Sequence, residues 1–140
     1  MAPELARQRT SPAGLPEARS RLRSAKAYLE IADLVLDEHD QMEFLNVAAG
    51  LAVLAGIAAS DAICSRRLGL IHRGDDHRAA AELLRQATPD GDKLAATFLR
   101  LIDVKDAAHY GVVVVAAGRA RDTVRWAMRL VERAEQEVER

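Results

Sequence analysis

Lys105, His109 and Tyr110 are the residues of this chain whose types and spacing come nearest to a reactive group. At i, i+4 and i+5 of a helix, Lys105 and His109 share one face. A lysine there can hold a phosphate while the imidazole moves a proton. Asp61, the one charge within a long apolar stretch, is the candidate to orient one of them. The same residues also suit a buried polar network, with Asp61 paired to Lys105 and Tyr110 donating to a backbone carbonyl. Either way Asp61 needs a partner, because a charge among apolar neighbours is costly alone.

Arg121, Arg125, Arg129 and Arg133 recur every four residues beside Trp126, and Arg19, Arg21, Arg23 and Lys26 form a second basic group. Together they could track a phosphate backbone. Glu132, Glu135, Glu137 and Glu139 are near enough to turn the same face into a solvated, salt-bridged one. His77, next to Asp76 at a helix start, reads as a capping or packing residue. Cys64, His72, Asp75, Asp76 and His77 match no familiar zinc spacing, so no metal site and no cofactor are expected. The single Cys64 reads as a small core residue rather than a nucleophile. Neither a G-x-G-x-x-G segment nor a P-loop is present.

The elements that must position these residues follow from composition and punctuation. The 140 residues include 27 alanines but only 2 Phe, 2 Tyr and 1 Trp. Alanine favours helix and lets helix axes approach closely. Too few turn signals and aromatics remain for a β-sandwich or barrel. Net charge is −1, so no global basic signature of a nucleic-acid binder exists. One cysteine cannot form an internal disulfide, and no secretory signal is visible, so the chain is expected to be cytoplasmic.

Residues 1–14 mix Pro, Gly, Ser, Thr and Arg without periodicity and are expected to be a disordered leader, followed by a single domain over 15–140. Helices are predicted over Leu15–His39, Glu43–Leu68, His77–Ala87, Asp92–Tyr110 and Gly118–Val138. Pro16 and Glu17 start the first; Asp76 caps the third. Gly69 and Gly74 bracket a loop, Thr88-Pro89-Asp90-Gly91 is a turn, and Val112–Val115 is a packed connector. From Phe44 to Ser60 the second helix carries no charge. It reads as the central helix of a bundle, not as a membrane span, given Asn46, Ser60, Asp61 and its Ala/Gly content. Charge is segregated along the first. Residues 1–26 hold six basic and two acidic groups, whereas 27–47 hold six acids and no base. The fold class is therefore all-α, an up-and-down bundle of four to five helices.

Three segments carry a family resemblance: Ala58-Ala59-Ser60-Asp61-Ala62-Ile63, Asp76-His77-Arg78-Ala79-Ala80 leading into Leu83-Leu84, and Lys105-Asp106-Ala107-Ala108-His109-Tyr110-Gly111. With the long final helix rich in Arg and Glu, they resemble HEPN-type bundles, in particular small stand-alone actinobacterial members. The resemblance implies a four- or five-helix bundle that dimerises side by side. Many such relatives are metal-independent ribonucleases, often toxins or defence effectors, using Arg-x4–6-His at a dimer interface. Here the corresponding place has Lys105-x3-His109, a shorter gap with Lys for Arg. Formal matches at Arg66-x5-His72 and Arg67-x4-His72 fall elsewhere.

The expectation is a dimeric HEPN-like interaction module, non-catalytic, with an antitoxin or nucleotidyltransferase-type partner in a toxin–antitoxin or defence setting. Two alternatives stand beside it. One is a metal-independent ribonuclease toxin acting on RNA through Lys105, His109, Tyr110 and Asp61. The other is a nucleic-acid-binding protein using the arginine stripe.

Overall fold

A computed structural model describes residues 9–109 and 116–140, with side chains described except at 107–109. Among these residues, five helices and one short β-ribbon make up the fold. Helix α1 spans Leu15–Glu38, with Pro16 in its first turn and the Glu17 carboxylate reaching back to the Gly14 N–H. His39, the first residue past α1, stacks on Phe44 with ring centroids 3.7 Å apart. That contact closes a tight hairpin into α2, Met42–Leu68. Gly69 ends α2 with φ 68°, the left-handed conformation that glycine adopts without a Cβ penalty.

Helix α3, His77–Ala87, starts where the Asp76 carboxylate accepts the Arg78 and Ala79 N–H groups, each at 3.1 Å. Helix α4, Gly91–His109, follows the Thr88–Gly91 turn, and α5 covers Ala117–Val138. The helix boundaries agree with the sequence reading to within a residue or so. Tyr110 and Val112–Val115 lie outside the described residues. All-α is the right class.

The chain start differs from expectation. Thr10–Pro12 form a strand, β1, paired antiparallel with β2, Leu70–His72, so the segment between Gly69 and Gly74 is not a plain loop. Thr10 faces His72, Ser11 faces Ile71 and Pro12 faces Leu70. The Arg73 N–H donates to the Arg9 carbonyl at 2.7 Å, and the Ala13 N–H to the Gly69 carbonyl at 3.0 Å. Ala13 is buried. Residues 10–14 are therefore tied to the bundle rather than part of a free leader; residues 1–8 lie outside the described residues. Pro12 fits because each β1 residue is on an edge, where a missing donor costs nothing.

Helix α2 is the hub, touching each of the other four. Along it Ala48, Ala52, Ala55, Ala59 and Ala62 are fully buried, which is where the alanine surplus goes. At Gly56 an added Cβ would overlap Leu101 of α4 and approach Leu130 of α5 at 3.5 Å. Phe98 is the one aromatic among the most deeply buried side chains. Helix α2 is long and apolar enough to cross a membrane, but 67% of its most apolar window is buried among the other helices. It behaves as a core helix.

Candidate functional site

The α3–α4 hairpin determines what reaches Lys105. The two helices run back from the Thr88–Gly91 turn, which brings the start of α3 beside the later part of α4. Lys105 Nζ indeed lies 2.8 Å from His77 Nε2. An ammonium has only donors, so Nε2 accepts and the ring is neutral. The His77 pKa is lowered, first by burial and then by the Lys105 charge, against weaker pulls from Asp106 and Asp75. His72 is also lowered, by burial first, with Arg9 adding and Asp76 opposing. The corner thus holds two imidazoles biased towards neutrality and one ammonium. A neutral imidazole beside an ammonium can accept a proton next to a bound anion. His109 ends α4 with its side chain outside the described residues, and Tyr110 is outside them altogether.

Asp61 does not join this corner. Arg21 Nε donates to Asp61 Oδ2 at 3.1 Å, with Nη2 3.0 Å from the same oxygen. The expected Asp61–Lys105 pairing is replaced by one across the α1–α2 hairpin, because residue 21 is level with residue 61 there. Burial pushes the Asp61 carboxyl up to about 6, against the Arg21 guanidinium that pulls it down. In the unfolded chain an aspartate titrates near 3.9. Between pH 4 and pH 6 the folded state therefore holds more protons, and this group's contribution to stability falls as pH rises. The total over that window is on the order of 3 kcal/mol. His72 and His77 oppose it, since their lowered pKa values cost stability as pH falls through 6.5. The difference between wild type and Asp61→Asn isolates the aspartate. Urea midpoints should show the wild type losing stability relative to the variant between pH 4.5 and pH 7.5; parallel profiles would refute the assignment.

The arginine stripe is divided. Arg133 makes a two-pronged pair with Asp90, at 2.7 and 2.9 Å, and a further bond to Glu137 at 3.2 Å. Its fork clamps the α3–α4 turn to α5 and is not available to a ligand. The same contact, with a bond from Thr88 Oγ1, holds the Asp90 carboxyl down at about 2. Arg125 pairs with Asp122 on the surface at 3.3 Å. Arg121 and Arg129 are exposed, and among the described residues neither makes an ion pair. Arg100 and Arg119 lie over the Trp126 ring at 5.8 and 5.5 Å. Of the four stripe residues, Arg133 alone binds one helix to another element among the described residues.

The remaining candidates are structural. Arg67 Nε donates to the Ala87 carbonyl at 3.3 Å and Nη1 lies 3.5 Å from Glu137, so the Arg67-x4-His72 spacing is not a working pair. Cys64 is buried, and burial pushes its thiol up to about 12. Among the described residues no group of His, Cys, Asp and Glu is arranged to hold a metal. The sequence reading missed His77 as the Lys105 partner. Symmetric counting outward from the Thr88–Gly91 turn leads to the start of α3 without singling out His77.

Comparison with known protein families and with curated proteins gives no match to this chain.

Proposed function

We propose that this chain acts as a homodimeric, HEPN-like interaction module of the cytoplasm that binds a partner protein and does not cleave RNA. The observation that carries this reading is an uncovered apolar surface on the α1–α2 hairpin. Ile31, Leu34, Val47 and Leu54 are each between 43% and 50% exposed. The engagement of candidate charged residues in contacts within the fold supports it further. Asp61 belongs to Arg21, Lys105 to His77 and Arg133 to Asp90. An antitoxin or nucleotidyltransferase-type partner, in a toxin–antitoxin or defence setting, is the class of assembly this reading fits.

Light scattering at micromolar concentration should give twice the 15.3 kDa chain mass. A monomeric mass at every accessible concentration would remove the dimer from the proposal. The ribonuclease alternative rests on the Lys105–His77 contact, which pairs a phosphate-binding cation with a neutral imidazole. Total RNA incubated with the purified protein in EDTA should stay intact. Cleavage that disappears in Lys105→Ala and His77→Ala would instead establish that second reading.

A further inference from the structure

The solvent face of α1 has an order of its own. Arg23, Ala27, Ile31, Leu34 and Glu38 are all exposed and, at 100° per residue, fall within an arc of about 80°. A base stands at one end of this stripe, an acid at the other, and apolar residues between. Glu30 sits at its margin, on the side of α5. Arg23 and Glu38 make no ion pair among the described residues, unlike their neighbours Arg21 and Lys26, which are paired with Asp61 and Glu135.

The spacing is symmetric about a point between residues 30 and 31. A second copy of α1 crossing antiparallel at that point would set Arg23 opposite Glu38, Ala27 opposite Leu34, and the two Ile31 side chains beside the axis. Each two-fold contact is then made twice. Alanine opposite leucine gives a small residue facing a large one, which lets the helices approach and interlock. A parallel crossing would oppose like charges at both ends. Sliding by one turn would place Arg23 against apolar side chains. The Arg21–Asp61 bond also fixes the hairpin register so that Ile31 and Leu34 lie level with the Val47–Leu54 part of α2, where Val47 and Leu54 are exposed as well.

We infer that a second copy of this chain docks on this face, α1 against α1 in antiparallel register, with reciprocal Arg23–Glu38 pairs flanking an Ile31-centred apolar contact. This rests on the dimeric reading above and specifies its surface and register.

The test uses the full chain and sedimentation equilibrium. Arg23→Glu should weaken the dimer at least tenfold, as should Glu38→Arg. Combining the two should restore the dissociation constant to within about threefold of wild type. Ile31→Cys should form a disulfide-linked dimer under mild oxidation, against a silent background because Cys64 is buried and its thiol is held protonated. A dimer that ignores both charge reversals and does not cross-link through Ile31→Cys overturns the register while leaving the dimeric reading intact. Equal weakening by Arg129→Glu, an exposed site on α5, overturns it as well. A wild-type chain that is monomeric throughout overturns both.

Discussion

Glu137→Ala should cost about 2–3 kcal/mol of folding stability, more than any other single charge removal among the described residues. Glu137 is 1% exposed, the most deeply buried ionisable side chain described. Its carboxylate lies 3.2 Å from Arg133 Nε, 3.5 Å from Arg67 Nη1 and 3.6 Å from Arg140 Nη1. Breaking a buried pair typically costs ~3–5 kcal/mol, because the surviving charge is left uncompensated. Here Arg67 and Arg133 retain some access to water, and Arg133 keeps Asp90, so the loss falls below that range. Arg140 is 63% exposed, and Arg140→Ala should change stability by less than ~0.5 kcal/mol. Urea denaturation of the two variants checks the ordering. Equal costs would mean that the three arginines do not act as a set around one buried carboxylate.

Gly91→Ala should destabilise by ~3 kcal/mol or more, for a different reason. A Cβ at residue 91 would overlap the carbonyl oxygen, carbonyl carbon and Cα of Arg85. These are backbone atoms in the last turn of α3, so no side-chain rotation can relieve the overlap. The turn has little freedom to open. The Gly91 N–H donates to the Thr88 carbonyl at 3.0 Å, Thr88 Oγ1 donates to Asp90 at 2.9 Å, and Asp90 is clamped by Arg133. Gly50→Ala is the contrasting case. Nothing lies within 4 Å of a Cβ there, and the site is mid-helix, so the substitution should stabilise by about 0.5–1 kcal/mol. Thermal melts of the two glycine variants should move in opposite directions. A small effect of Gly91→Ala would mean that the α3–α4 turn is looser than its contacts indicate.

Much of this architecture is local and therefore legible in the sequence. Asp76 announces α3, Gly69 stops α2, and Thr88-Pro89-Asp90-Gly91 separates α3 from α4, each through chemistry contained in a few residues. The alanines of α2 announce close packing in the same way. Pairings across helices are different, because they depend on register, which no local signal carries. Asp61 visibly needed a partner, yet Arg21 sits in a basic cluster that reads as a solvated surface. Lys105 shows His109 one turn away on its own helix, but nothing in the sequence shows that the hairpin also brings His77 to it. Arg133 has the spacing of a surface stripe, but only the fold brings Asp90 beneath it. Glu137 belongs to a run of acids and bases in which nothing marks one carboxylate as buried. The β-ribbon escaped for another reason: three residues per strand are too few to show alternation, and the partners are about sixty residues apart.

That ribbon bears on the order in which the molecule assembles. Joining Thr10–Pro12 to Leu70–His72 closes a long loop, which is entropically expensive in an open chain. Once α1 and α2 have folded back on each other, the two strands are already neighbours and closure is cheap. Loop-closure entropy therefore predicts that the ribbon forms late, outside the folding nucleus. Interactions formed after the barrier leave the folding rate unchanged and slow escape from the native state instead. Three residues of strand ahead of α1, paired with three that follow α2, act as a latch on the lifetime of the fold.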